Sequence, residues 1–274
     1  MVFKRLAVLA AVLLILATPA AQAAGVNGQE IAGTVPRLLS ATSDKDARCV
    51  ECNLGDAVTD AMCRYLGTDI AIVCGGELKA NLFGDITWDE LRNAFPEDCQ
   101  LATAVVTVRQ LREILEVGVS HIRLNASEKI DVSSSVYDGF PQISGFTLFY
   151  DASAPVGQRV HDIYFGDEKL ALDDDSTTLT LAATVFMLEG GYGLPPVEGI
   201  VRSDLTLPDI FARYMNDGMA DYLGTDKRIR TMGTAGGGFS GPVVASVIIA
   251  AIWISIYRRP GKRQHTRYFK YYPH

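Results

Sequence analysis

Glu51-Cys52-Asn53-Leu54-Gly55-Asp56-Ala57-Val58-Thr59-Asp60-Ala61-Met62 is the stretch on which the fold turns. Leu54, Ala57, Val58, Ala61 and Met62, continued by Tyr65 and Leu66, recur at helical spacing and form one apolar stripe. Asn53 is a fit N-cap, Asp56 three residues on is a variant capping box that also sets an acid at the positive helix end, and Gly67 stops the helix. A short buried strand, Ile70 to Val73, follows and runs into Cys74-Gly75-Gly76. This helix-then-strand unit, with glycines where the strand ends, predicts a sheet with helices layered on it and a tight turn at its edge.

Working outward, Thr87-Trp88-Asp89-Glu90 and Thr107-Val108-Arg109-Gln110 are further capping boxes, opening helices near 88–94 and 109–119 on either side of an apolar strand at 101–107. Phe146 to Tyr150 and Val160 to Phe165 alternate as strands, Gly166-Asp167 makes a hairpin turn before Lys169, and Thr178 to Thr184 is another strand. A last helix starts at Thr206, with Pro208 in its first turn and Leu207, Ile210, Phe211, Tyr214 and Met215 as its stripe. Helices interleaved with strands and hairpins predict an α/β (α+β) domain built on a mixed sheet.

The ends read differently. Lys4 and Arg5, an apolar run from Leu6 to Ala17 and the small-residue site Ala21-Gln22-Ala23 form a secretory signal peptide over 1–23, cut before Ala24. Residues 233–238 are a Gly-rich linker. The nineteen residues 239–257 carry no charge. At about 1.5 Å per residue they span roughly 28 Å, the depth of a bilayer core. Trp253 and Tyr257 suit an aromatic belt, and six basic residues follow in the tail 258–274. The positive-inside bias makes this a single-pass membrane protein with residues 24–232 extracellular and the C-terminus cytoplasmic. The net charge of −7 includes the two basic residues of the leader and the six of the tail, so the domain between them stands near −15. Such a surface repels nucleic-acid phosphates.

Order and spacing carry a further reading. The Asn-Leu-Gly helix, the Gly75-Gly76 turn, Asp85-Ile86-Thr87-Trp88 entering a helix, Pro141-Gln142-Ile143-Ser144-Gly145, Tyr150-Asp151 and the late Gly190-Gly191 turn together resemble the C-terminal, nucleotide-binding domain of the 5'-nucleotidase family over roughly residues 30–231. In that family this domain follows a metallophosphoesterase half that holds two metals. Here the resemblance begins directly after the signal peptide, as if the domain stood alone.

The resemblance implies a base held between two phenylalanines and a nucleotide held by the Asn and Arg of an Asn-Gly-Gly-Gly-Ile-Arg turn and by a late Asp. Stacking of this kind is worth about 1–3 kcal/mol per base. This chain has Cys74-Gly75-Gly76-Glu77-Leu78-Lys79 at the first turn, so Cys74 stands for the Asn and Lys79 for the Arg, keeping the charge and losing the bidentate fork. Pro96-Glu97-Asp98-Cys99 aligns with the turn of the first stacking ring, replacing it by Glu97, while the second survives as Phe186 and Tyr192 replaces the Asp. The substrate-binding candidates are therefore Cys74, Lys79, Glu97, Phe186 and Tyr192, and Glu77, Glu97 and Asp98 add negative charge where an anion would approach. Gly75, Gly76, Gly190 and Gly191 read as backbone requirements of tight turns.

Five cysteines in an exported domain point to disulfides. The resemblance implies Cys49–Cys52 and Cys63–Cys74, with arrangements that include Cys74–Cys99 left open. No catalytic constellation is visible. His121 and His161 stand apart from any Asp-x-His or Asn-His pattern, His265 and His274 lie in the tail, and no P-loop or Ser-His-Asp grouping occurs. The expectation is a domain with no metal and no cofactor. It binds a nucleotide- or nucleoside-like ligand or a partner without catalysing alone, or serves as substrate-recognition subunit to a separately encoded metallophosphoesterase, or is an inactive remnant.

Overall fold

The computed structural model describes residues 27–42, 46–97 and 99–232. The signal peptide, Asp98, the linker 233–238, the apolar segment 239–257 and the basic tail all lie outside the described residues. Among the described residues no helix is long and apolar enough to cross a membrane.

In chain order the elements are β1 (Ile31–Leu39), α1 (Asn53–Leu66), β2 (Ile70–Cys74), β3 (Leu82–Thr87), α2 (Trp88–Asn93), β4 (Gln100–Thr107), α3 (Val108–Gly118), α4 (Val132–Ser135), β5 (Pro141–Ser144), β6 (Thr147–Tyr150), β7 (Val160–Phe165), β8 (Glu168–Lys169), β9 (Thr178–Thr184), α5 (Val185–Leu188), β10 (Val201–Thr206), α6 (Leu207–Asn216) and β11 (Ile229–Thr231). A five-stranded sheet of order β10-β4-β9-β2-β5 is the centre, beside a four-stranded sheet β11-β6-β7-β8 and a β1-β3 ladder. β2 runs parallel to β9, while β4 is antiparallel to β9 and β5 to β2, so the central sheet is mixed as expected.

Strand alternation divides the interior into two cores. Ile70, Ile72 and Cys74 of β2, with Ala102, Ala104 and Val106 of β4, meet α3 and the four-stranded sheet on one side. Ala71, Val73 and Leu101 meet α1 and α6 on the other. Successive strand residues face opposite ways, so a sheet covered on both faces needs the near-continuous apolar run that β2 shows.

The capping boxes form as read, Thr87 with Glu90 and Thr107 with Gln110, and Gly67 closes α1 at φ 66°. The start of α1 differs by one residue. Cys52 is the N-cap, its sulfur accepting from the Gly55 amide at 3.3 Å. Asn53 is instead drawn outward, its Nδ2 donating to the carbonyls of Leu38 and Tyr222 and its Oδ1 accepting from the Ser40 amide. Tertiary partners took the side chain that local rules had assigned to the cap.

The disulfide expectation is corrected: among the described residues no disulfide joins any of Cys49, Cys52, Cys63, Cys74 and Cys99. Cys49 and Cys52 belong to cores on opposite sides of the central sheet. Cys63 rides on α1, whereas β2 turns Val73 toward that helix and Cys74 away from it. Pairing Cys63 with Cys74 would require a side chain to cross β2, and Cys49 and Cys52 point into different cores.

Candidate functional site

One end of the central sheet collects the turns that the sequence singled out. β2 and β9 are parallel, so the Cys74-Gly75-Gly76 turn and the segment 185–193 leave the sheet at the same end. β4 and β5 are antiparallel to these strands, so the segments entering them, 94–99 and 137–140, arrive there too. Thr184 pairs with Leu101, and Cys74 with Pro141. Chain segments clustered beyond the carboxyl ends of parallel strands are where ligands bind in open α/β sheets.

Close packing sets the first turn. A Cβ on Gly75 would lie 2.1 Å from the Ala47 carbonyl oxygen, and one on Gly76 would lie 2.5 Å from the Asp138 Cβ. The amides of Gly75 and Gly76 donate to the carbonyls of Phe140 and Asp138. Glu77, read as a charge facing the ligand, is instead folded inward and 1% exposed. Its carboxylate accepts from the Cys74 amide at 2.8 Å and the Thr184 hydroxyl at 2.6 Å, tying the end of β2 to the end of β9. Burial raises it from the usual 4.5 to about 7, against the pull of those two hydrogen bonds.

The five candidates are placed unequally. Cys74 is fully buried, with its thiol covered by the core. Lys79 is exposed, and its amide donates to Ala94, which sets it beside the 94–97 turn. Among the described residues Lys79 makes no ion pair, with Glu97 or any other. Glu97, exposed, lines a cavity of about 260 Å³ with Trp88, Arg92, Pro96, Cys99, Thr206, Pro208 and Asp209. Phe186 is 43% exposed and stands edge-on to the Tyr192 ring at 4.9 Å. Gly190 takes φ 95°, and a Cβ on Gly191 would strike the Phe186 ring at 2.5 Å. The structure thus joins Phe186, Tyr192 and both glycine turns, and leaves Cys74 as core.

Residues that the motifs did not mark complete this end. The Tyr137 hydroxyl donates to the Tyr192 carbonyl at 2.5 Å, and the Tyr137 ring stacks on His121 with centroids 4.1 Å apart. Asp138 overlies Gly76 and meets Arg48 at 3.8 Å, while Arg48 is held in a two-pronged pair by Asp46. Burial, with the carboxylates of Glu77 and Asp138 close by, pushes the Tyr192 phenol well above its usual range. The signal in the sequence was present, since Tyr137-Asp138 lies immediately upstream of the Phe140-Pro141-Gln142 run. Among the described residues no group of three or more His, Cys, Asp or Glu is placed to hold a metal ion.

Residues 31–198 match the family described as 5'-nucleotidase, C-terminal domain. The chain belongs to that family. Relatives of this 5'-nucleotidase C-terminal domain are longer proteins. The trifunctional nucleotide phosphoesterase YfkN of Bacillus subtilis is 30% identical over 154 residues, covering 53% of this chain and 10% of that protein. A 5'-nucleotidase precursor from Thermus thermophilus superposes with a TM-score of 0.63 at 25% identity, over 75% of this chain and 40% of that one. A putative 5'-nucleotidase from Staphylococcus aureus shares the fold, with a TM-score of 0.59 at 14% identity, over 74% and 41%. The match therefore spans about a tenth of the curated relative and about two fifths of the solved chains.

Proposed function

We infer that this 5'-nucleotidase C-terminal domain is a membrane-anchored, outward-facing module that binds a nucleotide- or nucleoside-like small molecule and does not hydrolyse it unaided. The convergence of Phe186, Tyr192 and the two glycine turns at one end of the central sheet carries the reading, because an exposed ring beside tight turns is what a planar base needs. Anchoring rests on the uncharged run 239–257 and the basic residues after it. Want of catalysis rests on the scattered histidines, since metal-assisted hydrolysis needs several ligands in one place.

The full chain in detergent should be warmed with AMP, adenosine, UDP-glucose and glucose in turn. A ligand at a hundredfold its Kd adds about 2.7 kcal/mol of stability, a shift of roughly 5–10 °C for a domain of this size. No shift with any of the four would remove the reading. The purified chain supplied with Mn²⁺, Zn²⁺ or Co²⁺ should release no phosphate from AMP above background. Turnover that tracks the protein peak through repurification would refute that part.

A second reading is favoured by coverage, since the solved relatives are more than twice the length matched here. In it the domain supplies substrate recognition to a metallophosphoesterase on another chain. Phosphate release that appears only when such a protein is added would select it over the first.

A further inference from the structure

Beyond the general nucleotide-like site, the rings and charges at this end specify a kind of ligand. Four aromatic side chains follow one another along its rim. His121 stacks on Tyr137, Tyr137 holds the Tyr192 backbone, and Tyr192 stands edge-on to Phe186. Tyr192 is kept at φ 56° and ψ 16°, a left-handed conformation that a bulky residue rarely adopts. A glycine on each side lets the chain enter and leave that turn, and the Tyr137 hydroxyl pins it. Backbone strain that neighbouring contacts maintain is characteristic of ligand-binding positions.

The charges argue against an anion. Asp138 is 54% exposed where it overlies Gly76, and Glu97 is exposed on the neighbouring 94–97 turn. Arg48 is engaged by Asp46 and Asp138, and Arg202 by Glu189. An incoming phosphate would meet the exposed carboxylates of Asp138 and Glu97, while Lys79 and Arg123 make no ion pair among the described residues. A carboxylate is an acceptor for hydroxyl hydrogens, and a tyrosine phenol is a donor.

We propose that this rim binds an uncharged nucleoside, its base against Phe186 and Tyr192 and its sugar hydroxyls on Asp138, and that it discriminates against the corresponding 5'-phosphate. The proposal rests on the reading of this end as a ligand site. Asp138, Tyr137 and Tyr192 would set specificity, and Phe186 would supply stacking.

Calorimetry on the full chain in detergent, with adenosine and AMP as probes, tests it. Adenosine should bind at least tenfold more tightly than AMP at about 50 mM salt, and about 500 mM salt should narrow the gap by screening the repulsion. Asp138→Asn should weaken adenosine while improving AMP relative to it, whereas Phe186→Ala should weaken both by a similar factor. Both side chains are substantially exposed, so the variants should fold, and circular dichroism checks this before titration. AMP binding as tightly as adenosine or more so would overturn the proposal and leave the general ligand-binding reading standing. An adenosine-to-AMP ratio untouched by Asp138→Asn would also overturn it. Binding of neither compound would remove both.

Discussion

Glu77 shows how one substitution in a turn changes its chemistry. Where the family resemblance implies a third glycine, a carboxylate has moved into the interior and bridges the ends of β2 and β9 through the Cys74 amide and Thr184. A carboxyl whose pKa is raised on folding favours the folded state while it is protonated. Its contribution is fully present below the usual 4.5, is lost as pH rises toward the folded value of about 7, and is flat above that. The swing attached to a shift from 4.5 to about 7 is about 3 kcal/mol. Asp56, raised by burial from 3.8 to about 8, acts in the same direction over a wider span. Glu77→Gln keeps an acceptor for the Cys74 amide and a partner for Thr184 without the charge. Urea denaturation at pH 5 and pH 7.5 should therefore show a smaller loss of stability in Glu77→Gln than in the parent. An equal loss in both would mean that the buried carboxyl does not titrate over this range. Caps such as Thr87 with Glu90 were readable because donor and acceptor sit three residues apart. The inward turn of Glu77 was not, because its second partner, Thr184, is 107 residues away.

At the scale of elements, the segment after α6 depends on one side chain. Arg228 donates to both oxygens of Asp60 at 2.8 and 2.9 Å and to the Ile143 carbonyl, and it pairs with Asp226, with Asp56 within 3.8 Å. The amides of Asp226 and Ile229 are accepted by Asp56 and Glu51 at the start of α1. These bonds hold β11 in place beside β6 and so complete the four-stranded sheet. Removing one partner from a largely buried ion pair commonly costs about 3–5 kcal/mol, because the remaining charge is stranded. Arg228→Ala should lose about 3 kcal/mol or more in denaturant unfolding, with faster amide exchange at Leu148, which donates to the Arg228 carbonyl. A loss under about 1 kcal/mol would show that the strap contributes little. The periodic elements themselves were legible: α1, α3, α6 and the strands β2, β4 and β9 lie where spacing and capping put them, while β10 was not read. The short β11 was not read, since three residues with no periodicity become a strand only by pairing with β6.

For the whole molecule, the expected topology is single-pass with the domain outside. In intact cells protease should digest residues 27–232 while a tag placed after His274 stays protected, on the argument of the six basic residues beyond Tyr257. A tag accessible from outside would reverse the orientation, and release of the domain by a high-salt wash would exclude the anchor. Sequence alone determined the α/β class, the order of the major elements, the family and the glycine turns, because helix stripes, caps and strand alternation are set by neighbours a few residues away. The tertiary structure decided what sequence spacing cannot express. Cys49 and Cys52 are three residues apart yet face different cores, because the turn that leads into α1 sends one side chain to each. Tyr137, Asp138, Phe186 and Tyr192 lie far apart in the chain and share one rim, because β5 returns antiparallel to β2 while β9 runs parallel to it. Direction and neighbour within a sheet are long-range choices, and they placed the carboxylates and rings that define the candidate site.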